Sequence, residues 1–540
     1  MAVASLKILK YQLMKYLTIL KQCSLPHLRG QLLVALACLW SSIAMAIPSV
    51  PYMPTWQARH HLERLVDEAD LAITTTHWPL PLAAVQQAID DLPKELPANL
   101  AQSRDFIIAE LRKVRWQGQL DLQYRNRAEA PVGFGENYTP GSSVKITTPA
   151  TEFGSDALTV AAKVGIKLEQ NSNSAQTSFS GFGKEGHTTT RLDDTSLVLE
   201  GLGINWQLFS HQNWWGPGWQ SSLINSNNAP PWMGVGFQRS EVKPSESKWL
   251  NWMGPWNFEF FVAKAQDPVL VQDQPAGYIF SGMRLTFRPT SWVEVGLTRD
   301  IQTGGSGRPL NLTNAVFGWS THTSGADINN SYLQQDQSNG VAGYDLKLSC
   351  PKTWGCAAYL QWMGEDAAGQ SHMPNQFMTL SGVEYWTPNG QHRFFGEFIQ
   401  TYTDTLPWDT THIVGSGMRN WAYPQGETNG GRWFGSSFGG DARVFTLGWL
   451  DAGANRMIKI YTGESSTALG SYNPNTNATG NLIGPHGQLH GASVQQSIKW
   501  RQYTFTPEFS YTHFAQGQSV GDNRKTDLRG GLTFSMPLGK

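Results

Sequence analysis

The residues that could do chemistry are few and scattered. Glu384 and Glu397 flank a turn and could face each other across two strands, as glycosidase carboxylates do. Arg393 lies between them in the chain, so the stronger reading of the same residues is a buried ion-pair cluster. Asp90-Asp91 and Asp193-Asp194 are adjacent carboxylates of the kind usually found solvated at helix ends and in loops. His60-His61 would point about 100° apart on a helix and make a poor metal pair. No nucleophile elbow, zinc-protease helix or phosphate-binding loop is present, and no metal site or cofactor is expected.

The most distinctive segment runs from Asn213 to Trp232. Trp214, Trp215, Trp219 and Trp232 alternate there with amides and hydroxyls, including Gln220. Flat apolar plates beside neutral hydrogen-bonding groups suit pyranose rings, which offer C–H patches on one face and hydroxyls at the edge. The same residues could instead fill the inside of a barrel or form its aromatic belt, and packing is the stronger reading on physical grounds. Arg419 and Arg432, in a long later loop, are candidate cations for an anionic glycan.

The elements that would position these residues follow from composition and periodicity. Of 540 residues only 15% are charged, while 54 are glycine and 22 tryptophan. A mean hydropathy of −0.34 excludes a bundle of apolar membrane helices, and the aromatic content excludes disorder. Residues 1–46 carry five basic side chains and no acidic one, then an apolar stretch from Leu32 to Trp40 and Ala44-Met45-Ala46. This is the layout of a cleavable export signal, with the basic region long enough for the true start to be Met14. A lipoprotein signal at Cys38 is the rival, but Ala35-Leu36-Ala37 fits it poorly. Without the signal, 36 basic residues (41 − 5) face 42 acidic ones, a balance near −6 that offers nothing to nucleic acid. Cys350 and Cys356 are then the remaining cysteines, a candidate disulfide across a turn.

Residues 47–116 read as a small helical unit, on the stripes Leu62/Leu65/Val66/Ala69, Leu82/Val85/Ile89 and Phe106/Ile107/Leu111/Val114. It is too small to be stable without a larger partner. From residue 117 to 540 the period becomes two. Leu158, Val160, Ala162, Val164, Ile166 and Leu168 alternate with Lys163, Lys167, Glu169 and their small neighbours, and Leu528 and Leu532 alternate with Arg529 and Thr533. About sixteen such segments, with Trp and Tyr in abundance, predict an all-β transmembrane barrel with apolar residues toward lipid and charges toward a wet interior. Loops 170–190, 403–440 and 464–489 are expected on the outside of the cell.

Trp214-Trp215-Gly216-Pro217-Gly218-Trp219, with Ser222-Leu223-Ile224 and Asn227-Asn228-Ala229-Pro230, resembles the signature of the Wzi family of capsule-assembly proteins. Further similar motifs follow in order: Gly282-Met283-Arg284, Glu294-Val295-Gly296 with Arg299, Gly307-Arg308-Pro309, Gly343-Tyr344-Asp345, Gly396-Glu397-Phe398, and Gly431 to Gly435 with Asp441. The resemblance implies an outer-membrane barrel of eighteen antiparallel strands whose periplasmic end is closed by an N-terminal helical plug, acting as a non-enzymatic lectin for capsular polysaccharide. It implies structural roles for Gly216, Pro217, Gly218, Asn228, Arg284, Arg299, Asp345, Glu397 and Asp441. Expected partners are capsular or extracellular polysaccharide, outer-membrane lipid and the polysaccharide-export machinery. A diffusion porin and a barrel-type hydrolase are the alternatives.

Overall fold

The computed structural model describes residues 49–126, 131–138, 141–155, 158–170, 188–266, 274–310, 338–367, 374–404, 412–413, 417–419, 422–465, 472–473, 478–479, 487–515 and 526–539. Residues 1–46, expected from the sequence to be an export signal and holding Cys23 and Cys38, lie outside them, as do parts of the three long loops.

Three helices come first: α1 (Trp56–Ala69), α2 (Leu82–Asp90) and α3 (Ala98–Trp116). Thr55 caps α1 by accepting a hydrogen bond from the Ala58 N–H at 3.1 Å. Their apolar stripes meet in one buried cluster with Trp56, Leu62, Leu65, Val85, Ile89, Ile107 and Leu111. Among the described residues no helix is long and apolar enough to cross a membrane.

The rest is one antiparallel sheet of eighteen staves among the described residues. These are β1 (Gly118–Arg125), β2 (Ser142–Thr147 and Thr151–Ser155), β3 (Leu158–Lys163 and Gly165–Gln170) and β4 (Thr188–Arg191 and Thr195–Gly201). Next come β5 (Ile204–His211), β6 (Trp232–Arg239), β7 (Trp256–Lys264), β8 (Ile279–Thr290) and β9 (Val293–Thr303). β10 (Asn339–Ser349), β11 (Cys356–Ala367), β12 (Pro374–Trp386) and β13 (His392–Asp404) follow. The last are β14 (Ala442–Asp451), β15 (Arg456–Ser465), β16 (Gly487–Gln496 and Ile498–Trp500), β17 (Tyr503–Phe514) and β18 (Thr526–Leu538). Each stave pairs with its neighbours in sequence, and β18 pairs with β1 from Gly531↔Arg125 to Leu538↔Gly118, so the sheet closes on itself.

Alternation sets the two faces. Ile166 and Leu168 are about half exposed, whereas Lys167 and Glu169 between them are buried. Leu528 and Leu532 stand outside and Arg529 inside. Leu122, Ile146, Leu199, Leu208, Val235, Leu447 and Ile460 continue the outer apolar face around the wall. A closed wall with its apolar face outward and its charges inward is the arrangement that satisfies a bilayer. At the short-turn end, beside the helices, the wall carries exposed Trp116, Trp249, Trp252, Trp292, Trp354 and Trp500, a girdle suited to a membrane–water interface. The turn between β10 and β11 is closed there by a Cys350–Cys356 disulfide.

An arginine placed on the outer face should be costly. Ile166→Arg is expected to destabilise the barrel by about 2–4 kcal/mol if the site sits at mid-bilayer, read as a lowered urea midpoint for refolding into vesicles. Leu168→Ile, a conservative change on the same exposed apolar face, should leave the midpoint unchanged.

Candidate functional site

A barrel of this size would hold an aqueous channel unless something filled it. The filling comes from both ends. The 212–231 segment leaves the top of β5 and turns down into the lumen before β6, while the helices rise from the short-turn end. Trp214 and Trp215 are both fully buried but belong to different clusters. Trp214 packs against Phe134 and the helical core, and Trp215 against Phe261 and the long-loop half of the lumen.

The glycines of this segment make the close approach. At Gly218 a Cβ would collide with the Ser221 carbonyl, and at Gly216, whose φ is +149°, it would press on the Gln361 amide. Gln361 fixes the turn from the wall, accepting from the Leu223 N–H at 2.9 Å and donating to the Trp215 carbonyl at 2.8 Å. Glu397 of β13 accepts the backbone N–H groups of Trp219, Gln220 and Ser221 at 2.8, 3.2 and 2.7 Å. The carboxylate thus acts as a cap for a turn that no secondary structure satisfies.

From the other side, α1 grips the same turn. Arg59 donates to the carbonyls of Gly218 and Pro217 at 2.7 and 2.6 Å, stacks over Trp219 and Phe134, and pairs with Glu63 at 2.7 Å. Glu63 also receives Arg393 at 2.6 Å and Lys347 at 3.0 Å, and these two cations share Glu384 at 2.5 and 2.8 Å. Glu384 accepts the Trp219 indole N–H as well, at 2.6 Å. Burial alone would raise the Glu63 carboxyl, but Lys347, Arg59 and Arg393 outweigh it and hold it at about 2. Glu384 thus takes the ion-pair role with Arg393 that the sequence suggests, whereas Glu397 holds the plug through its backbone N–H groups.

Three of the sequence motifs converge on Thr75 and Thr76, which close the N-terminal stretch similar to the family's and to which sequence reasoning assigned no role of their own. Thr75 and Thr76 donate their backbone N–H groups to Glu294 of β9 at 2.8 Å each. Arg284 of β8 donates to the Thr76 carbonyl at 2.8 Å while paired with Asp345 of β10 at 2.7 Å. Gly296 makes room, since a Cβ there would strike both Asp345 and Arg284, and Gly282 clears the Trp215 ring. His77 follows with its ring 2.8 Å from Glu259; burial, then Arg284, keeps that imidazole well below its ordinary range. Arg299 falls in the opposite register, with Met283 and Ala342, away from the plug.

At the long-loop end, residues 422–441 fold inward as a cap, where an outward loop is expected from the sequence. Arg432 donates to the Asn228 carbonyl at 2.6 Å and to its side-chain oxygen at 2.9 Å. Burial, then Arg529 and Arg125, push its guanidinium down to about 10. Arg419 lies over Trp433 and is also lowered by burial, against the pull of Asp441. Asn429 donates to the Pro230 carbonyl, and Trp232 stacks on Phe280 with their centroids 4.5 Å apart. Trp214, Trp215, Trp219, Gln220, Trp232, Arg419 and Arg432 are all buried, the tryptophans among packed aromatic and aliphatic side chains. Trp219 and Trp232 donate their indole N–H groups to Glu384 and to the Asn225 side-chain oxygen. Among the described residues no group of His, Cys, Asp and Glu is placed to hold a metal.

The family model described as capsule assembly protein Wzi matches residues 122–455. The chain belongs to this family. A Klebsiella pneumoniae relative, described as an uncharacterized 55.8 kDa protein in the cps region, is 32% identical over 193 residues, so the match spans about a third (35%) of each chain. Among solved structures, the Escherichia coli Wzi protein is similar over 91% of this chain and all of that one, at 19% identity and a TM-score of 0.69. That protein is described as an outer-membrane, carbohydrate-binding β-barrel involved in group 1 capsule assembly. OprD of Pseudomonas aeruginosa is more distant, at 10% identity, 78% and 94% coverage and a TM-score of 0.41. The Wzi signature thus marks where the lumen is blocked: Trp214 to Trp219, Arg284, Asp345 and Glu397 are the parts by which plug, wall and loop hold one another.

Two outcomes are expected. Glu397→Ala leaves three buried N–H groups unpaired and should cost roughly 3 kcal/mol or more, with the tryptophan fluorescence shifting toward that of solvated indole. Docking of α1 should also weaken in acid. Burial, then Arg64 and Arg393, depress His61 to about 4, and burial, then Arg393, depresses His60 further. Both rings are neutral when docked, so stability falls as pH drops from about 6.5 toward 4 and protons bind the undocked state preferentially; Glu63 extends the loss from about 4.5 toward 2. Thermal unfolding against pH checks this, and His61→Gln should flatten the upper part of the slope.

Proposed function

We propose that this Wzi-family chain is an outer-membrane saccharide-binding barrel that holds capsular or other exported polysaccharide at the cell surface without catalysis. The observation that carries the reading is the double plug. Helices fill one half of the lumen and the 212–231 and 422–441 segments the other, each buried and hydrogen-bonded to the wall. Among the described residues, packed side chains occupy the lumen where a channel would run, which favours a binding surface over a channel. The carboxylates best placed for hydrolysis, Glu384 and Glu397, spend their lone pairs on Arg393, Lys347 and the backbone of the plug.

In this reading residues 1–46 are an export signal, 47–116 a periplasmic plug and 117–540 the barrel, with the tryptophan girdle at the periplasmic interface. The long-loop end faces outward, and the packed signature is the scaffold on which the outer loops meet the glycan. Lipid surrounds the wall, and the export machinery delivers the chain. The likeness to the Escherichia coli protein described as carbohydrate-binding supports the ligand class.

Deleting the gene should move polysaccharide from the cell surface into the medium without stopping its synthesis, and the purified barrel should capture that polysaccharide yet stay electrically silent in planar bilayers. Unchanged cell-attached polysaccharide together with discrete channel currents would replace this reading with a porin.

A further inference from the structure

The inward cap at the long-loop end holds a carboxylate that its surroundings do not satisfy. Glu427 is 1% exposed, and its Oε2 has no hydrogen-bond partner among the described residues. The charge that acts on it is that of Asp300 in β9, of like sign; burial, then this neighbour, push the Glu427 carboxyl well above its ordinary value. Asp300 is 2% exposed, and its Oδ2 is equally without a partner. Arg299, on the opposite side of the same stave, offsets part of the Asp300 charge. The cations near Glu427 are engaged elsewhere. Arg419 follows the Met418 carbonyl that accepts the Glu427 N–H at 2.9 Å, but it is matched with Asp441, and Arg308 lies over the Tyr423 ring.

Wall and cap meet here in a defined register. Asp300 and Gln302 share the inner face of β9, opposite Val341 and Asn339 of β10. Gln302 donates to the Gly426 carbonyl at 3.3 Å, next to Glu427, and accepts from the Asn339 Nδ2 at 3.1 Å. The Asn339 side-chain oxygen, in a residue 1% exposed, is then a third acceptor without a donor. Three such oxygens, from β9, β10 and the cap, are gathered around one glutamine whose own amide is spent holding the pieces together.

Buried acceptors are costly without partners, and neighbouring like charges add to the cost. A proton would relieve one carboxylate. A divalent cation relieves both and uses the amide oxygen as well. Transition metals favour imidazole or thiolate, and among the described residues no three His, Cys, Asp or Glu side chains meet to hold one. Calcium takes roughly six to eight oxygens from carboxylates, side-chain amides and backbone carbonyls, whereas magnesium keeps several waters, which suits a buried place poorly. We propose that Asp300, Asn339 and Glu427 form a calcium site that pins the inward cap to the wall. The two carboxylates supply the charge, Asn339 a neutral ligand, and Gln302 positions the amide and the cap backbone. Six residues beyond Asp300 the chain is exposed at Ser306 and Gly307, so the site lies just inside the long-loop end, within reach of the solution there.

The test uses the full-length protein in detergent, stripped with a chelator and titrated with calcium chloride at neutral pH. Calorimetry should show one saturable site per chain, and the thermal midpoint should rise with calcium; magnesium should need at least about tenfold more for the same rise. Asp300→Asn and Glu427→Gln should each weaken calcium at least about tenfold, by removing a charged ligand. In chelator each variant should melt no lower than wild type, because a neutral amide ends the like-charge contact. Wild-type protein that binds no calcium and melts identically in calcium and in chelator would overturn the site, and that comparison needs no variant to fold. A calcium response that survives both substitutions would overturn it too. Neither result bears on polysaccharide capture, which is measured separately.

Discussion

The interior of this barrel depends on the desolvation of Glu63, Glu384, Arg59, Arg393 and Lys347, charges that neither lipid nor apolar core can accommodate singly. Four pieces of chain supply them: Glu63 and Arg59 come from α1, Lys347 from β10, Glu384 from β12 and Arg393 from β13. None can be left behind without exposing another to an uncompensated environment. The cluster therefore sets where α1 sits, and α1 in turn presents Arg59 to the Pro217-Gly218 carbonyls. Removing one member of such a set costs more than the pair contributes, commonly 3–5 kcal/mol, because the partner stays buried.

That logic explains why the family signature looks like a binding site and works as a joint. Tryptophan, glycine, proline and amides suit a sugar because they combine flat apolar faces with close approach and neutral hydrogen bonds. The same properties let the 212–231 segment lie against a helix on one side and a wall on the other. Trp214 and Trp215, adjacent in sequence, serve the two halves of the filling separately.

Much of the architecture could be read from the chain. Period-two segments such as Ile166-Lys167-Leu168-Glu169 showed which side is wet, because a half-apolar strand has only one way to face lipid. The helical stripes were equally plain. What escaped was anything that depends on register between distant staves. Thr74 to Thr76 carry no pattern, yet they are the stretch on which Arg284, Glu294 and Asp345 converge from β8, β9 and β10. The 422–441 segment is polar and glycine-rich like an outer loop, and only its partners, Asn228 and the Pro230 carbonyl among them, draw it inward. Residues chosen for ligand contact by type alone were buried for the same reason: side-chain chemistry suits two environments equally, and topology chooses.

The pairing of β18 with β1 raises a matter of timing. The stave synthesised last zips against the stave synthesised first, and the helices precede both in the chain. A plug of three helices held by contacts to at least six staves cannot be threaded into a finished cylinder without breaking that buried charge cluster. The wall must therefore remain an open, curling sheet until the helices and the 212–231 segment have settled against it, and the final seam locks them in.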